Sequence, residues 1–340
     1  MHIQKTNKIK MIYTGGTIGM KRSRNGLSPD PNSIECFLDQ NQLKDRIELI
    51  VAQPLIDSSA LSIQNWNQWI KLINQDLGGY QGVIILHGTD TLAYTSGVLG
   101  LLYSQQKIPI VITGAILPLF EEDSDGQENI ILSIQAIEQI NRGVFVVFNR
   151  KMLHAFDCLK ISAVSKNAFI SPNLCPVAKY DQDAWLFENE FNHLLLSKFP
   201  KIDYENFQFC DEIKILNLFL TPTLISCIPS IVDSSQNWNA LIFQSFGHGN
   251  FKINNDIKEI IRLFLENDKP VINVSQVVMS RVDGTYALGS DIIDTGGISA
   301  RSFTFEFCYS LIAVALSCHK INKIKFIQKI ITDIDDALTN

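Results

Sequence analysis

Two short polar segments, each placed directly after an apolar run, hold the residues best suited to chemistry. Thr14 follows the run 9–13 and precedes Gly15-Gly16, and the run 83–86 leads into residues 87–91, His-Gly-Thr-Asp-Thr. Glycine lets a backbone come close to a bound molecule because no Cβ stands in the way. A threonine hydroxyl becomes an effective nucleophile when a neighbouring base accepts its proton. The two segments therefore predict a candidate nucleophile, Thr14, beside a cluster of polar groups.

Each of these features also has a purely structural explanation. Thr14 is compatible with a tight turn that holds an uninvolved threonine. A phosphate-binding loop is disfavoured, because the residues after Gly15 match neither G-x-G-x-x-G nor a glycine followed by Lys-Ser/Thr. Thr89 or Asp90, taken alone, is more typical of a helix cap. His87, between apolar residues and a glycine, is more typical of a core histidine than of a general base.

The segments that would position these residues alternate between strand-like and helix-like patterns. Continuous apolar strands alternating with amphipathic helices predict the α/β class, with a mostly parallel sheet covered on both faces. Ligands of such sheets bind at the carboxyl ends of the strands. Besides the run 9–13, strand patterns lie at 46–52, 83–86, 109–113, 144–148, 213–219, 240–244 and 270–274, and helix patterns lie at 63–77 (capped by Ser62), 92–103, 129–140, 257–265 and 303–317.

Polar residues at two further strand ends extend the pattern. Ser58 and Ser59 follow one strand, and Thr113 precedes a glycine at the end of another. Four polar strand ends in one parallel sheet favour a shared cleft. Lys160, beyond the strand at 144–148 and between apolar neighbours, could move protons beside a carboxylate. The alternative is a lysine whose stem packs on apolar surface and whose charge stays in water.

The chain is long enough for two domains. Periodicity is lost over 174–212, so we expect an N-terminal catalytic α/β domain at 1–195, a linker at 196–212 and a smaller C-terminal α/β domain at 213–340. The stretch from Met20 to Ser33, with glycine, asparagine and two prolines, is expected to be a mobile lid.

Composition limits the partners. The net charge is −6 and the only basic cluster is at 21–24, which argues against nucleic acid as a partner. The residues before the first strand contain no apolar stretch, and the uncharged run 307–318 is too short to span a bilayer, so no membrane association is expected. Seven scattered cysteines without a Cys-x-x-Cys pair predict a reduced, cytoplasmic protein with no metal site. A small polar substrate is expected.

Taken together, the motifs resemble those of the bacterial-type L-asparaginases. The two signature segments correspond to residues 14–19 (TGGTIG) and 87–91 (HGTDT), in the family's order. Tyr13 before the threonine resembles the cytoplasmic, type I members. Further agreement lies at 112–114 (ITG), 124–126 (SDG), 168–173 (AFISPN) and 245–250 (SFGHGN), so the resemblance covers nearly the whole chain.

This resemblance implies a fold, a reaction and a set of site residues. It implies a larger N-terminal doubly wound domain, a smaller C-terminal α/β domain, and a homodimer or homotetramer that hydrolyses L-asparagine without a cofactor or metal. By matching position, the implied roles are as follows: Thr14 is the nucleophile; Thr89, Asp90 and Lys160 handle protons; Ser58 binds the α-carboxylate and Asp90 the α-ammonium, with Ser59 and Gly88 beside them; and Asn250 approaches the neighbouring protomer's site.

Two departures from the family pattern bear on activity. Leu27 occupies the position of a lid tyrosine that contacts the nucleophile, and Ala-Phe-Asp-Cys at 155–158 replaces a Gly/Arg-containing stretch before Lys160. One alternative function is therefore a catalytically weak member that senses an amino acid. Another is the amidotransferase-related glutaminase subunit, although that subunit normally carries an additional N-terminal domain and eight residues precede the first strand here.

Overall fold

A computed structural model describes residues 8–23, 26–188, 193–232, 237–284 and 287–339. The chain forms two compact units, Met1–Phe207 and Gln208–Asn340. The division falls inside the range 196–212 that the sequence suggests for a linker. The domain limits of 195 and 213 themselves stay a prediction.

The first unit contains most of the predicted elements, with small shifts at their ends. Its helices are α1 (Asn32–Gln40), α2 (Ile63–Asn74), α3 (Leu92–Tyr103), α4 (Gly126–Gln139) and α5 (His193–Ser197). Its strands are β1 (Ile9–Gly15), β2 (Met20–Ser23), β3 (Gly26–Pro29), β4 (Ile47–Ile56), β5 (Gly82–Leu86), β6 (Ile110–Thr113), β7 (Val144–Phe148), β8 (Lys151–His154), β9 (Leu159–Lys160), β10 (Phe169–Ile170), β11 (Ala178–Asp181) and β12 (Ala184–Phe187).

The large sheet confirms the predicted α/β class. Among the described residues its eight strands run in the order β12-β11-β8-β7-β6-β5-β1-β4. The five strands from β7 to β4 are parallel, and β8, β11 and β12 add antiparallel pairs at one edge. Because β6, β5, β1 and β4 are neighbours, their carboxyl ends meet at one edge of the sheet. The four polar strand ends therefore lie at the same edge of the sheet.

Helices cover both faces of this sheet. Met11 and Tyr13 of β1 share one core with Ile34 and Phe37 of α1 and with buried residues of α4. On the opposite face the Lys10 side chain, fully buried, donates to carbonyl oxygens at the end of α2, including Leu72 O at 3.1 Å. A cation there offsets the negative end of the helix dipole. The central strands are thus rigidly held from both sides.

One stretch without periodicity in the sequence contains regular strands. The interpretation of 174–212 as lacking strands is wrong for β11 and β12, which form an antiparallel hairpin at the edge of the sheet. Most of its side chains are not buried, so the sequence lacks an apolar period there. The stretch from Met20 to Ser33, expected to be a mobile lid, contains the antiparallel pair β2 and β3 and then the start of α1. Residues 24 and 25 lie outside the described residues, and the mobility of the stretch stays a prediction.

The second unit has the predicted smaller α/β architecture. Its elements are β13 (Ile215–Phe219), α6 (Ile228–Ile231), β14 (Ala240–Ser245), α7 (Asn255–Glu266), β15 (Val271–Ser275), α8 (Ala287–Asp294), β16 (Ile298–Ser299), α9 (Phe305–Ser317) and α10 (Lys323–Thr339). The four strands form a sheet in the order β13-β14-β15-β16, which is parallel throughout.

Among the helices of both units, as far as the structure describes them, none has the length and apolar character of a membrane span.

Candidate functional site

The ends of β1, β4 and β5 approach one another so closely that glycine is required at the contacts. A Cβ on Gly16 would lie 2.3 Å from Gly88 Cα, and a Cβ on Gly88 would lie 2.5 Å from Ser58 Oγ. Gly16 also has a φ of +83°, which L side chains rarely adopt. The two glycines therefore let three strand ends converge and bring Thr14, Ser58 and the segment 87–91 into one place.

Thr14 lies near the end of β1, and only 1% of its surface is exposed. Its hydroxyl donates to Leu86 O of β5 at 2.9 Å. The oxygen is therefore held by the neighbouring strand next to the start of the segment 87–91. A hydroxyl fixed on a rigid strand can attack with little loss of entropy.

Lys160 joins the two polar groups that the sequence placed after β5. Its Nζ donates to Thr89 Oγ1 at 2.8 Å and to Asp90 Oδ1 at 2.6 Å. The Lys160 side chain is 18% exposed, whereas that of Asp90 is 56% exposed. Lys160 is thus a partly buried ammonium with two oxygen partners, and the alternative of a lysine that merely extends its charge into water is wrong. Lys160 therefore links Thr89 to Asp90 by hydrogen bonds, and Asp90 is the member of the three that is open to solvent.

Ser58 lies in a short 3-10 helix after β4 and is buried. Its Oγ accepts from Asp90 N at 3.2 Å, and its carbonyl accepts from Thr91 Oγ1 at 2.8 Å. These bonds fix Ser58 against the segment that carries Thr89. Ser59 differs, since it is exposed and donates to Asp57 Oδ1 at 2.8 Å.

His87 is a satisfied core histidine, as predicted. Its Nδ1 donates to Gly88 O at 2.6 Å, and its Nε2 accepts from the Thr95 hydroxyl at 2.9 Å. Thr95 Oγ1 in turn accepts from Trp66 Nε1 at 2.9 Å. Burial lowers the pKa of His87 to about 4, so the ring is neutral at pH 7. Both nitrogens are committed to the fold, and His87 is not a general base.

The buried polar residues Asp125 and Asn129 support the loop after β6, although the sequence interpretation used Asp125 only as part of the 124–126 motif. The Asp125 carboxylate accepts from the backbone N–H groups of Ile116 and Leu117 at 3.0 Å. Asn129 Nδ2 donates to Gly114 O, also at 3.0 Å. The two residues therefore fix the loop after β6. An Asp just before a predicted helix was the available signal, but capping explains it equally well.

The hairpin of β2 and β3 makes ion pairs with residues outside the two strands. Arg22 makes a bidentate contact with Glu121 at 3.0 and 3.2 Å, and Lys21 pairs with Asp30. Leu27 lies opposite Arg22 on β3 and is 42% exposed. Its side chain thus offers an apolar surface and no proton donor or acceptor.

Asn250 belongs to the second unit, whereas the ends of β1, β4 and β5 belong to the first. It closes a tight turn after β14, donating its N–H to Phe246 O at 2.7 Å. The turn is held by Asn273, whose Nδ2 donates to Gly249 O at 2.8 Å. Among the described residues, the buried Asn250 Oδ1 has no hydrogen-bond partner. This amide oxygen is therefore an acceptor still to be satisfied.

Both halves of the chain match known families. Residues 8–192 match the family described as Asparaginase, N-terminal, and residues 220–330 match the one described as Glutaminase/Asparaginase C-terminal domain. An L-asparaginase of Dirofilaria immitis is 30% identical over 342 residues, which cover 91% of this chain and 57% of that protein. L-asparaginase 1 of Escherichia coli K12 is 29% identical over 315 residues, covering 88% of each chain.

A solved structure agrees at the level of the whole chain. The crystal structure of L-asparaginase I from Vibrio cholerae has a TM-score of 0.81 at 26% sequence identity. The match covers 95% of this chain and 96% of that one. Both units thus have counterparts in a single known protein.

Proposed function

Because the chain belongs to the asparaginase family, we propose that it hydrolyses the side-chain amide of L-asparagine to give L-aspartate and ammonia. The observation that carries this proposal is the contact of Lys160 Nζ with Thr89 Oγ1 (2.8 Å) and Asp90 Oδ1 (2.6 Å), at a strand end beside that of Thr14. Acyl transfer to a hydroxyl requires a group that accepts or donates a proton, and the Lys160 ammonium on the buried Thr89 hydroxyl supplies such a group. Ammonia release from L-asparagine by the purified protein tests the proposal, and binding without release would favour the amino-acid sensor.

In the proposed reaction Thr14 Oγ1 attacks the amide carbon and forms an aspartyl ester while ammonia leaves. The hydroxyl now donates to Leu86 O, so it turns as it loses its proton. That proton passes by way of Thr89 to the departing amide nitrogen, while the Lys160 ammonium orients Thr89 and Asp90. In the second step the water that cleaves the ester gives its proton back to Thr14 Oγ1 by the same route. Proton transfer of this kind contributes ~10²–10⁴-fold to rates. Backbone N–H groups near Thr89 stabilise the developing oxyanion, a contribution of ~10²–10³-fold.

The substrate's α-groups lie at the other side of the cleft in this proposal. Ser58 binds the α-carboxylate, flanked by Gly88 and Ser59, and Asp90 binds the α-ammonium. The exposure of Asp90 supports this role, since more than half of its side chain is open to a ligand. The seven cysteines are all free, which supports a reducing, cytoplasmic location.

We expect the active form to be at least a homodimer. Asn250, with its unpaired buried Oδ1, is proposed to reach the site of a neighbouring protomer. Light scattering at assay concentration should give the mass of two or four chains. Asn250→Ala should keep that mass but lose activity, and a fully active monomer would contradict the proposal.

Leu27→Tyr should change kcat by less than about threefold. The reason is that Lys160 already contacts Thr89, so activation does not depend on a hydroxyl at the hairpin. Leu27→Phe is the matched control, because it adds the ring without the hydroxyl. A wild-type protein that binds asparagine without releasing ammonia, and that gains activity with tyrosine but not with phenylalanine, would contradict this expectation.

A further inference from the structure

Lys160 is carried by a very small piece of secondary structure. β9 and β10 contribute two residues each, with Lys160 opposite Phe169 and Leu159 opposite Ile170. One further bond, from Ile161 N to Ala168 O at 2.8 Å, closes the turn side. An isolated two-stranded hairpin is marginally stable in water, so contacts outside the ladder must fix its position.

The open end of this hairpin is held by a buried carboxylate. Asp157, 3% exposed, lies between β8 and β9. Its Oδ2 accepts from Asn173 N at 3.1 Å and from Leu174 N at 2.9 Å, and its Oδ1 accepts from Asn173 Nδ2 at 3.3 Å. Asp157 therefore connects the chain entering β9 with the chain leaving β10.

The residues before Asp157 are hydrogen-bonded to α3, the helix that follows the segment 87–91. Ala155 O accepts from the Ser96 hydroxyl of α3 at 2.9 Å, a bond shared with Ala93 O. Since α3 starts directly after the segment 87–91, this bond connects the segment that carries Thr89 with the chain that leads to Lys160. Asp157 stands in the stretch 155–158, where the sequence departs from the family pattern.

From these contacts we propose that Asp157 is a positioning residue that fixes the β9–β10 hairpin and thereby the Lys160 ammonium against Thr89 and Asp90. This inference rests on the function proposed above. The hydrogen bonds of Asp157, rather than its charge, carry the role. Burial raises the pKa of Asp157 to about 7, which indicates that its surroundings tolerate a neutral group.

Two substitutions of Asp157 distinguish the effect of its hydrogen bonds from the effect of its charge. Asp157→Leu keeps a side chain that branches at Cγ but removes all three acceptor contacts, so kcat should fall by about 10–100-fold while KM changes less than about threefold. Asp157→Asn keeps an oxygen for Asn173 N and Leu174 N and, with the Asn173 amide reversed, a bond to that side chain. It should therefore restore kcat to within about threefold of wild type.

Asp203→Leu is the matched control for the loss of an aspartate. Asp203 lies in the same unit and also accepts from an asparagine backbone N–H and side-chain amide, those of Asn206, but it is exposed. Its replacement should leave kcat unchanged. If Asp157→Leu does not fold, Asn173→Ala removes one of the three contacts and should give a smaller loss in kcat with KM unchanged.

Hydrogen exchange gives a readout that does not depend on activity. In Asp157→Leu the Ile161 amide should exchange at least about tenfold faster than in wild type, while amides of β1 and β5 stay protected. In Asp157→Asn it should exchange at the wild-type rate. A folded Asp157→Leu protein with wild-type kcat and exchange would overturn the inference. Absence of ammonia release by the wild type would instead refute the proposed function, and the exchange result would still decide the role of Asp157.

Discussion

Thr14→Ala is expected to lower kcat for asparagine hydrolysis by about 10³-fold or more, because the proposed reaction has no ester intermediate without this hydroxyl. Binding of L-asparagine, measured by calorimetry, should persist, since the α-groups are held by Ser58 and Asp90. Ammonia release at the wild-type rate from this variant would show that Thr14 is not the nucleophile.

The structural cost of this substitution has a matched control. Thr14→Ala leaves Leu86 O without the hydroxyl donor at 2.9 Å, a loss of about 1 kcal/mol in stability. Thr113, buried at the end of β6, donates to Val147 O at 2.7 Å in the same manner. Thr113→Ala should therefore lose similar stability but keep its activity. A comparable fall in kcat for both variants would mean that the Thr14 effect is structural.

Lys160→Met is expected to lower kcat by about 10²–10⁴-fold, with KM changed far less. Lys160 Nζ contacts Thr89 and Asp90, so its removal breaks the proton path. It is not proposed to touch the substrate's α-groups, and calorimetric binding should survive.

Lys179→Met is the control for this variant. Lys179 is a half-exposed lysine of β11 in the same unit, paired with Glu188. Its loss should leave kcat unchanged, since exposed ion pairs contribute about 0–1 kcal/mol to stability. Unchanged kcat in Lys160→Met would contradict the proposed role of the ammonium in proton transfer. A rise in KM as large as the fall in kcat would indicate that Lys160 binds the substrate instead.

Sequence patterns predicted the central sheet and the place of the site, for a physical reason. Strands such as 83–86 and 144–148 are buried on both faces, so they appear as continuous apolar runs. Polar residues at their ends stand out against those runs. The edge hairpin of β11 and β12 has no such signature, because most of its side chains lie at the surface.

The contacts within the site were harder to predict than its location. Lys160 is 70 residues from Asp90 in the chain, and nothing in the spacing indicates that they meet. Only the resemblance to a family suggested the pair. Asp125, Asn129 and Asp157 were missed as supporting groups because their partners are mostly backbone N–H and C=O groups, which every sequence contains. Tertiary hydrogen bonds of this kind leave no pattern in the residue types.

Thr14 is proposed to form an aspartyl ester from L-asparagine. Hydroxylamine added to the reaction competes with water for such an ester and converts it to an aspartyl hydroxamate. The measurement is the amount of hydroxamate and ammonia formed together by wild type and by Thr14→Ala. We expect wild type to form both products and Thr14→Ala to form neither above about one thousandth of the wild-type rate. Ammonia release without hydroxamate in wild type, or both products from Thr14→Ala at the wild-type rate, would contradict the formation of an ester on Thr14.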